Sequence, residues 1–183
     1  MNNEDNDKKI IFSKLKELQN NSKNLPSLES KFSSSPKRSH LIKAYLLKIL
    51  NLREHSTQEA RQKLKKKFPK EESELIEKVI KDFTERKYLS DKRFAEMFIK
   101  SKEAKGKFFL ERALEKKGVS KAIISQALEE NEFSELENAK KAAKKKIISL
   151  EGKKNKKEKL MRFLYSRGFS SEVIYQLMES DPF

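Results

Sequence analysis

Leu64, Leu114 and Leu164 stand fifty residues apart, and the sequence repeats around each of them. Leu64-Lys65-Lys66-Lys67-Phe68 aligns with Leu114-Glu115-Lys116-Lys117-Gly118 and with Leu164-Tyr165-Ser166-Arg167-Gly168. Four residues before each leucine comes Ala60, Leu110 or Leu160, which a helix sets on the same face one turn back. Downstream, Val119-Ser120-Lys121-Ala122-Ile123-Ile124 matches Phe169-Ser170-Ser171-Glu172-Val173-Ile174 at the same offset. In both, a serine that follows glycine and one apolar residue can cap the next helix. The first copy departs, because Pro69-Lys70-Glu71-Glu72 adds residues before Leu75 and Ile76. A threefold repeat of this size builds small units that share surfaces end to end.

Apolar spacing predicts three helices per unit: 38–53, 56–67 and 71–86, then 90–104, 107–117 and 120–131, then 134–150, 154–167 and 170–180. The units are set at 37–88, 89–132 and 133–183. Ser56-Thr57-Gln58-Glu59 and Ser134-Glu135-Leu136-Glu137 read as capping boxes, and Gly106, Gly118, Gly152 and Gly168 as helix stops. The inward face of unit one is Leu46, Leu47, Leu50, Leu64, Leu75, Ile76, Val79 and Phe83. The expected fold is all-α: an elongated, solenoid-like stack of three tandem three-helix units behind a flexible N-terminal tail. That tail is residues 1–36; its stretch from Gln19 to Pro36 is rich in Asn, Ser and Lys, too polar to bury enough surface to offset ordering. Within the tail Ile10, Ile11, Phe12, Leu15 and Leu18 have helical spacing; this segment either covers a core edge or docks a partner.

Only 36% of the chain is hydrophobic against 39% charged, which suits thin packing of small units better than one thick core. Net charge is +15, so polyanions are the expected partners. Without cysteine there is no disulfide, thiolate metal site or Cys nucleophile. His40 and His55 lie on different segments, and no phosphate-cradling glycine motif is present. No enzyme activity, cofactor or metal is therefore expected. The opening residues lack the layout of a secretory signal, and no apolar run exceeds Ala44–Leu47. The expectation is a monomeric cytoplasmic protein with no membrane association.

Three stretches resemble the RecX family of RecA regulators. Arg53-Glu54-His55-Ser56 is similar to the family's R-x-H-S helix start. Tyr88-Leu89-Ser90-Asp91-Lys92-Arg93-Phe94-Ala95 resembles its G-Y-L-D-D-x-R-F-A stretch, and Lys105-Gly106 through Leu114-Glu115-Lys116-Lys117-Gly118-Val119 its K-G…L-x-x-K-G-I segment. Lys87 stands where that family has Gly, Ser90 replaces the first Asp, and Phe68 the Gly expected after Lys67. The resemblance implies three stacked three-helix units that lie in the groove of the RecA–DNA filament. There they would impede filament extension and mainly inhibit RecA's activities in recombination, DNA repair and the SOS response. It also implies weaker, electrostatic binding to DNA.

The residues that carry the resemblance are Arg53, His55, Ser56, Tyr88, Asp91, Arg93, Phe94, Lys105, Gly106 and Gly118. Tyr88 and Phe94 are expected to pack between units one and two and set their angle. Asp91 lies in a first helical turn, where the macrodipole favours a carboxylate. Arg93 pairs with Asp91, takes an upstream acid or reaches outward, and His55 either closes the turn before Ser56 or meets a partner's anionic group. Candidates for contact with RecA or DNA are the basic residues off the apolar face: Lys63, Lys66, Lys67, Lys100, Lys105, Lys107, Arg112, Lys116, Lys144, Lys145, Lys153 and Lys154. From residue 140 to 159, ten lysines face two glutamates, a repulsion that bound phosphate would relieve. The rival reading is a sequence-nonspecific DNA-binding helical protein.

Overall fold

A computed structural model describes residues 35–69 and 73–180; the segment from Ile10 to Leu18 lies outside the described residues. Among the described residues there are nine helices and no strand. They are α1 (Ser35–Leu52), α2 (Thr57–Lys67), α3 (Ser73–Glu85), α4 (Asp91–Lys100), α5 (Lys107–Lys116), α6 (Lys121–Glu130), α7 (Glu135–Ile148), α8 (Lys156–Ser166) and α9 (Ser171–Ser180). The fold is the expected all-α stack of three three-helix units.

Serine hydroxyls start five of these helices. Ser56, Ser90, Ser120, Ser134 and Ser170 each accept a bond from the amide three residues on. The capping boxes form only by half, because Glu59 and Glu137 turn to cations instead of reaching back. Helices α5 and α8 stop as the sequence predicts. Gly118 and Gly168 take φ of 80° and 81°, and Val119 and Phe169 donate to the carbonyls of Leu114 and Leu164. Gly106 does not stop a helix: with φ −81° it caps the start of α5. In unit one the glycine is missing because its place has another use. Phe68 ends α2 and sets its ring edge-on to Tyr45, with centroids 5.8 Å apart. Lys87, in contrast, adopts φ 59°, the left-handed conformation its glycine-like position demands.

Each unit has its own small core, and the fifty-residue register holds inside all three. Leu64, Leu114 and Leu164 are fully buried, as are Ala60 and Leu110 one turn back, with Leu160 nearly so. Around Leu64 gather Ile42, Leu46, Ile49, Ile76, Val79, Ile80 and Phe83, while Leu47, Leu50 and Leu75 are only half-buried. Phe94, Ala95, Ile99 and Ile124 surround Leu114. In unit three α7 contributes only Ala139, Ala142 and Ala143 among its fully covered positions, so the helices approach closely there. Ala104, from the preceding unit, packs against that core.

Candidate functional site

The resemblance-bearing residues converge where one unit meets the next. At the first junction, Ser56 at the head of α2 caps its own helix through Glu59 N at 3.0 Å. Its hydroxyl also donates to the Lys117 carbonyl, 2.6 Å away in unit two. The next amide, Thr57 N, donates to Asp91 Oδ1 at 2.7 Å, so a carboxylate at the head of α4 also serves the positive end of α2. Arg93 takes the upstream acid: Nε and Nη2 donate to Glu54 at 2.7 and 3.2 Å. The same guanidinium reaches the carbonyls of Lys87 and Tyr88, both at 3.0 Å, which clamps the linker between α3 and α4. A planar five-donor fork suits that task, and a lysine could not replace it.

His55 is 3% exposed, with Nδ1 3.3 Å from Glu59 Oε2. It closes the turn before α2 and presents no free edge outward. Burial, then the neighbouring Arg53 charge, holds its imidazole below the ordinary value near 6.5, against the pull of Glu59. Glu59 also pairs with Arg53 and Lys117. Burial alone would raise its carboxyl; the bonds from Lys117 and His55, with the charges of Lys117 and Arg53, outweigh that and hold it low. Tyr88 and Phe94 divide between the units: Tyr88 lies edge-on to Phe83 in unit one at 5.7 Å, and Phe94 is buried in unit two. Lys117 Nζ completes the cluster, 5.8 Å from the ring centroids of both Phe94 and Phe98.

The second junction repeats the first, with its helix head and incoming turn fifty residues on and its acidic residue 44 on. Gly106 takes the place of Ser56 and donates its amide to the Arg167 carbonyl at 3.0 Å, while Phe108 N donates to Gly168 O at 3.1 Å. Lys107 N, the counterpart of Thr57 N, donates to Glu135 Oε1 at 3.0 Å. Glu135 opens α7 as Asp91 opens α4, and it also accepts from Ser170 N and Ser170 Oγ, each at 3.0 Å. Here backbone meets backbone. A Cβ on Gly106 would lie 2.2 Å from the Gly168 carbonyl oxygen, and one on Gly168 would lie 2.5 Å from Phe109 N. Gly118 is as confined at the first junction, where its Cβ would meet that of Gln58 at 2.4 Å. Phe109 stands where Glu59 stood, and Lys105, at the place of His55, sets its Nζ 4.0 Å from the Phe109 centroid. Burial, helped by Arg167 and Lys102, holds the Lys105 ammonium below its usual range.

The basic candidates separate into groups. Lys66, Lys67, Arg112 and Lys116 are exposed on α2 and α5, and Lys63 is half-buried. Lys116 lines two grooves: one between α2 and α5 of about 270 Å³, and one between α5 and the α8–α9 turn of about 750 Å³ that Arg112 also lines. Lys107 is exposed and 4.0 Å from Glu111. Lys105 belongs to the second junction. Lys100 lines a separate cleft with Glu103, Glu132 and Glu137, away from the α2 and α5 cations. Lys144, Lys145, Lys153 and Lys154 are exposed on α7 and before α8. Sequence reasoning missed Glu135 as a junction residue, reading it only as part of a cap. The signal was there, since Ser134-Glu135 repeats Ser90-Asp91 at a helix start. Among the described residues no cluster of His, Cys, Asp or Glu could hold a metal ion, and no helix is long and apolar enough to cross a membrane.

Comparison with known proteins gives a consistent result. The model of the RecX second three-helix domain matches residues 90–128, and that of the RecX third three-helix domain matches residues 134–178. The regulatory protein RecX of Prosthecochloris aestuarii is 36% identical over 134 residues, covering 71% of this chain and 86% of that protein. That of Listeria welshimeri is 34% identical over 146 residues, covering 75% of this chain and 54% of its own length. The chain thus spans about half the length of the Listeria relatives it matches. Two solved structures share the fold. RecX from Lactobacillus salivarius superposes with TM-score 0.67 at 21% identity, over 79% of this chain and 97% of that one. A second structure, of a regulatory protein RecX, gives TM-score 0.71 at 20% identity, over 90% and 85%.

Proposed function

Because the chain belongs to the RecX family of regulatory proteins, we propose that it binds the groove of the RecA–DNA filament and modulates RecA, mainly by inhibition. Its working parts are a tail over 1–36 and units over 37–88, 89–132 and 133–183. Recombination, DNA repair and the SOS response are the processes affected, in the cytoplasm, by a monomer that binds without catalysing a reaction. The observation that supports this reading is the repeated junction. Side-chain and backbone bonds at the head of α2, and again at the head of α5, fix the angle between successive units. A stack of fixed angle holds the exposed cations of α2 and α5 at set spacings, which a long polyanionic groove can match. Binding to free DNA is the weaker, electrostatic part of the activity.

The test is RecA's ATPase on single-stranded DNA with this protein far below the RecA concentration. Inhibition at substoichiometric protein is the expected result. Inhibition that begins only when the protein is abundant enough to coat the DNA would sink the proposal and leave competition for DNA as the explanation.

A further inference from the structure

The grooves on either side of α5 are the same groove twice, and only the second is relined. Gln58 and Gln62 of α2 line the first; fifty residues on, Phe108 and Arg112 of α5 line the second. Tyr165 lines the second groove from the opposite wall, whereas its counterpart fifty residues back, Glu115, is not among the residues lining the first. Phe108 remains 56% exposed and Tyr165 43% exposed, two aromatic faces left to water on opposite walls. Arg112 and Lys116, one helical turn apart, line the same groove, and neither has an ion-pair partner among the described residues. No carboxylate is among the described residues lining this groove, whereas Glu59 lines the first.

We propose that the groove between α5 and the α8–α9 turn binds single-stranded nucleic acid, with bases stacked on Phe108 and Tyr165 and phosphates on Arg112 and Lys116. Rings facing outward beside unpaired cations are the means by which proteins hold unpaired strands, because every base offers a flat face and every linkage a charge. A duplex keeps its bases stacked on one another and leaves the rings uncovered. This assignment is independent of the filament proposal, since the groove requires nothing from RecA.

The experiment measures anisotropy of a labelled oligo-dT, about twenty nucleotides long, with the full chain and no RecA. An abasic strand of equal length and a duplex serve as comparisons. Phe108→Ala and Tyr165→Ala should each weaken oligo-dT binding roughly tenfold, while Phe108→Tyr and Tyr165→Phe retain it. Arg112→Gln with Lys116→Gln should flatten the dependence of log affinity on log salt by about 0.7 for each phosphate no longer neutralised. Gln58→Ala with Gln62→Ala in the first groove should change neither quantity. All these side chains are exposed or half-exposed, and thermal melts would establish that each variant folds. The proposal is overturned if the abasic strand binds as tightly as oligo-dT, or if the two alanine variants bind oligo-dT normally. Should those variants keep oligo-dT binding but lose RecA inhibition, the groove is a protein-docking surface and the assignment to nucleic acid fails. Conversely, loss of oligo-dT binding with normal substoichiometric inhibition supports this inference and leaves the filament proposal standing.

Discussion

At the scale of single residues, the chain tolerates strain where a neighbour fixes the backbone. Lys87 sits at φ 59° at the end of α3 because Arg93 grips its carbonyl and Leu89 N must close on Phe83 O. A side chain in that conformation costs about 1 kcal/mol, so Lys87→Gly should stabilise the protein by roughly that amount in urea denaturation. His55 gives a second expectation, in pH. Its pKa is lowered on folding, so the unfolded chain takes the proton more readily. The stability it contributes is complete above about pH 6.5 and is lost as pH falls below that value. Glu59, also held low, loses its contribution only in more acid solution. The urea midpoint should therefore fall between pH 7.5 and 5.5, and His55→Gln should flatten this window while leaving the carboxylate transition below it; an unchanged slope would remove His55 from the account. Sequence alone singled out Arg53, His55, Asp91 and Arg93, but not their partners. Ser56 meets Lys117 across 61 residues, and Arg93 meets Glu54 across 39; periodicity reports which face a residue occupies, not which distant backbone lies opposite.

At the scale of elements, the helix heads carry the assembly. Glu135 serves two of them, α5 through Lys107 N and α9 through Ser170. Glu135→Ala leaves these donors without a charged acceptor and should cost about 2 kcal/mol, read as an earlier and broader thermal transition. If the melt is unchanged, the second junction rests on its backbone bonds alone. Exposed faces can be changed without that penalty. Replacing Lys66, Lys67, Lys107 and Lys116 with Glu should abolish RecA inhibition with helicity and melting preserved, and retained inhibition would show that RecA meets another face. Lys105 is excluded from that set because its ammonium lies against the Phe109 ring, where a carboxylate would disturb the junction. Helix existence, order and starts were legible because serine caps and apolar spacing are local signals. The role of Gly106 was not, since a glycine required for close approach and one that ends a helix look alike until the opposing backbone is known.

At the scale of the whole molecule, three cores too small to be secure alone are joined by two copies of one joint. The three cores follow from the leucine register, and the structure adds that the helix heads and incoming turns of the joints keep that register, while their carboxylates, Asp91 and Glu135, stand 44 apart. Serine and hydroxyl at the first become glycine and bare amide at the second, yet the turn entering from the next unit has φ of 80° in one case and 81° in the other. The joint is consequently a reusable part. A longer chain made by inserting a second copy of residues 89–132 after the first would present Lys117-Gly118 and Asp91 of the copy to the Gly106 head of the original. It should fold as a four-unit rod with helicity per residue unchanged by circular dichroism and a proportionally larger radius of gyration in X-ray scattering. Loss of helicity per residue would mean that Gly106 accepts only the turn carrying Gly168. Success would make the length of the rod an adjustable quantity, and the reach of such a protein along its target could then be measured like the graduations of a ruler.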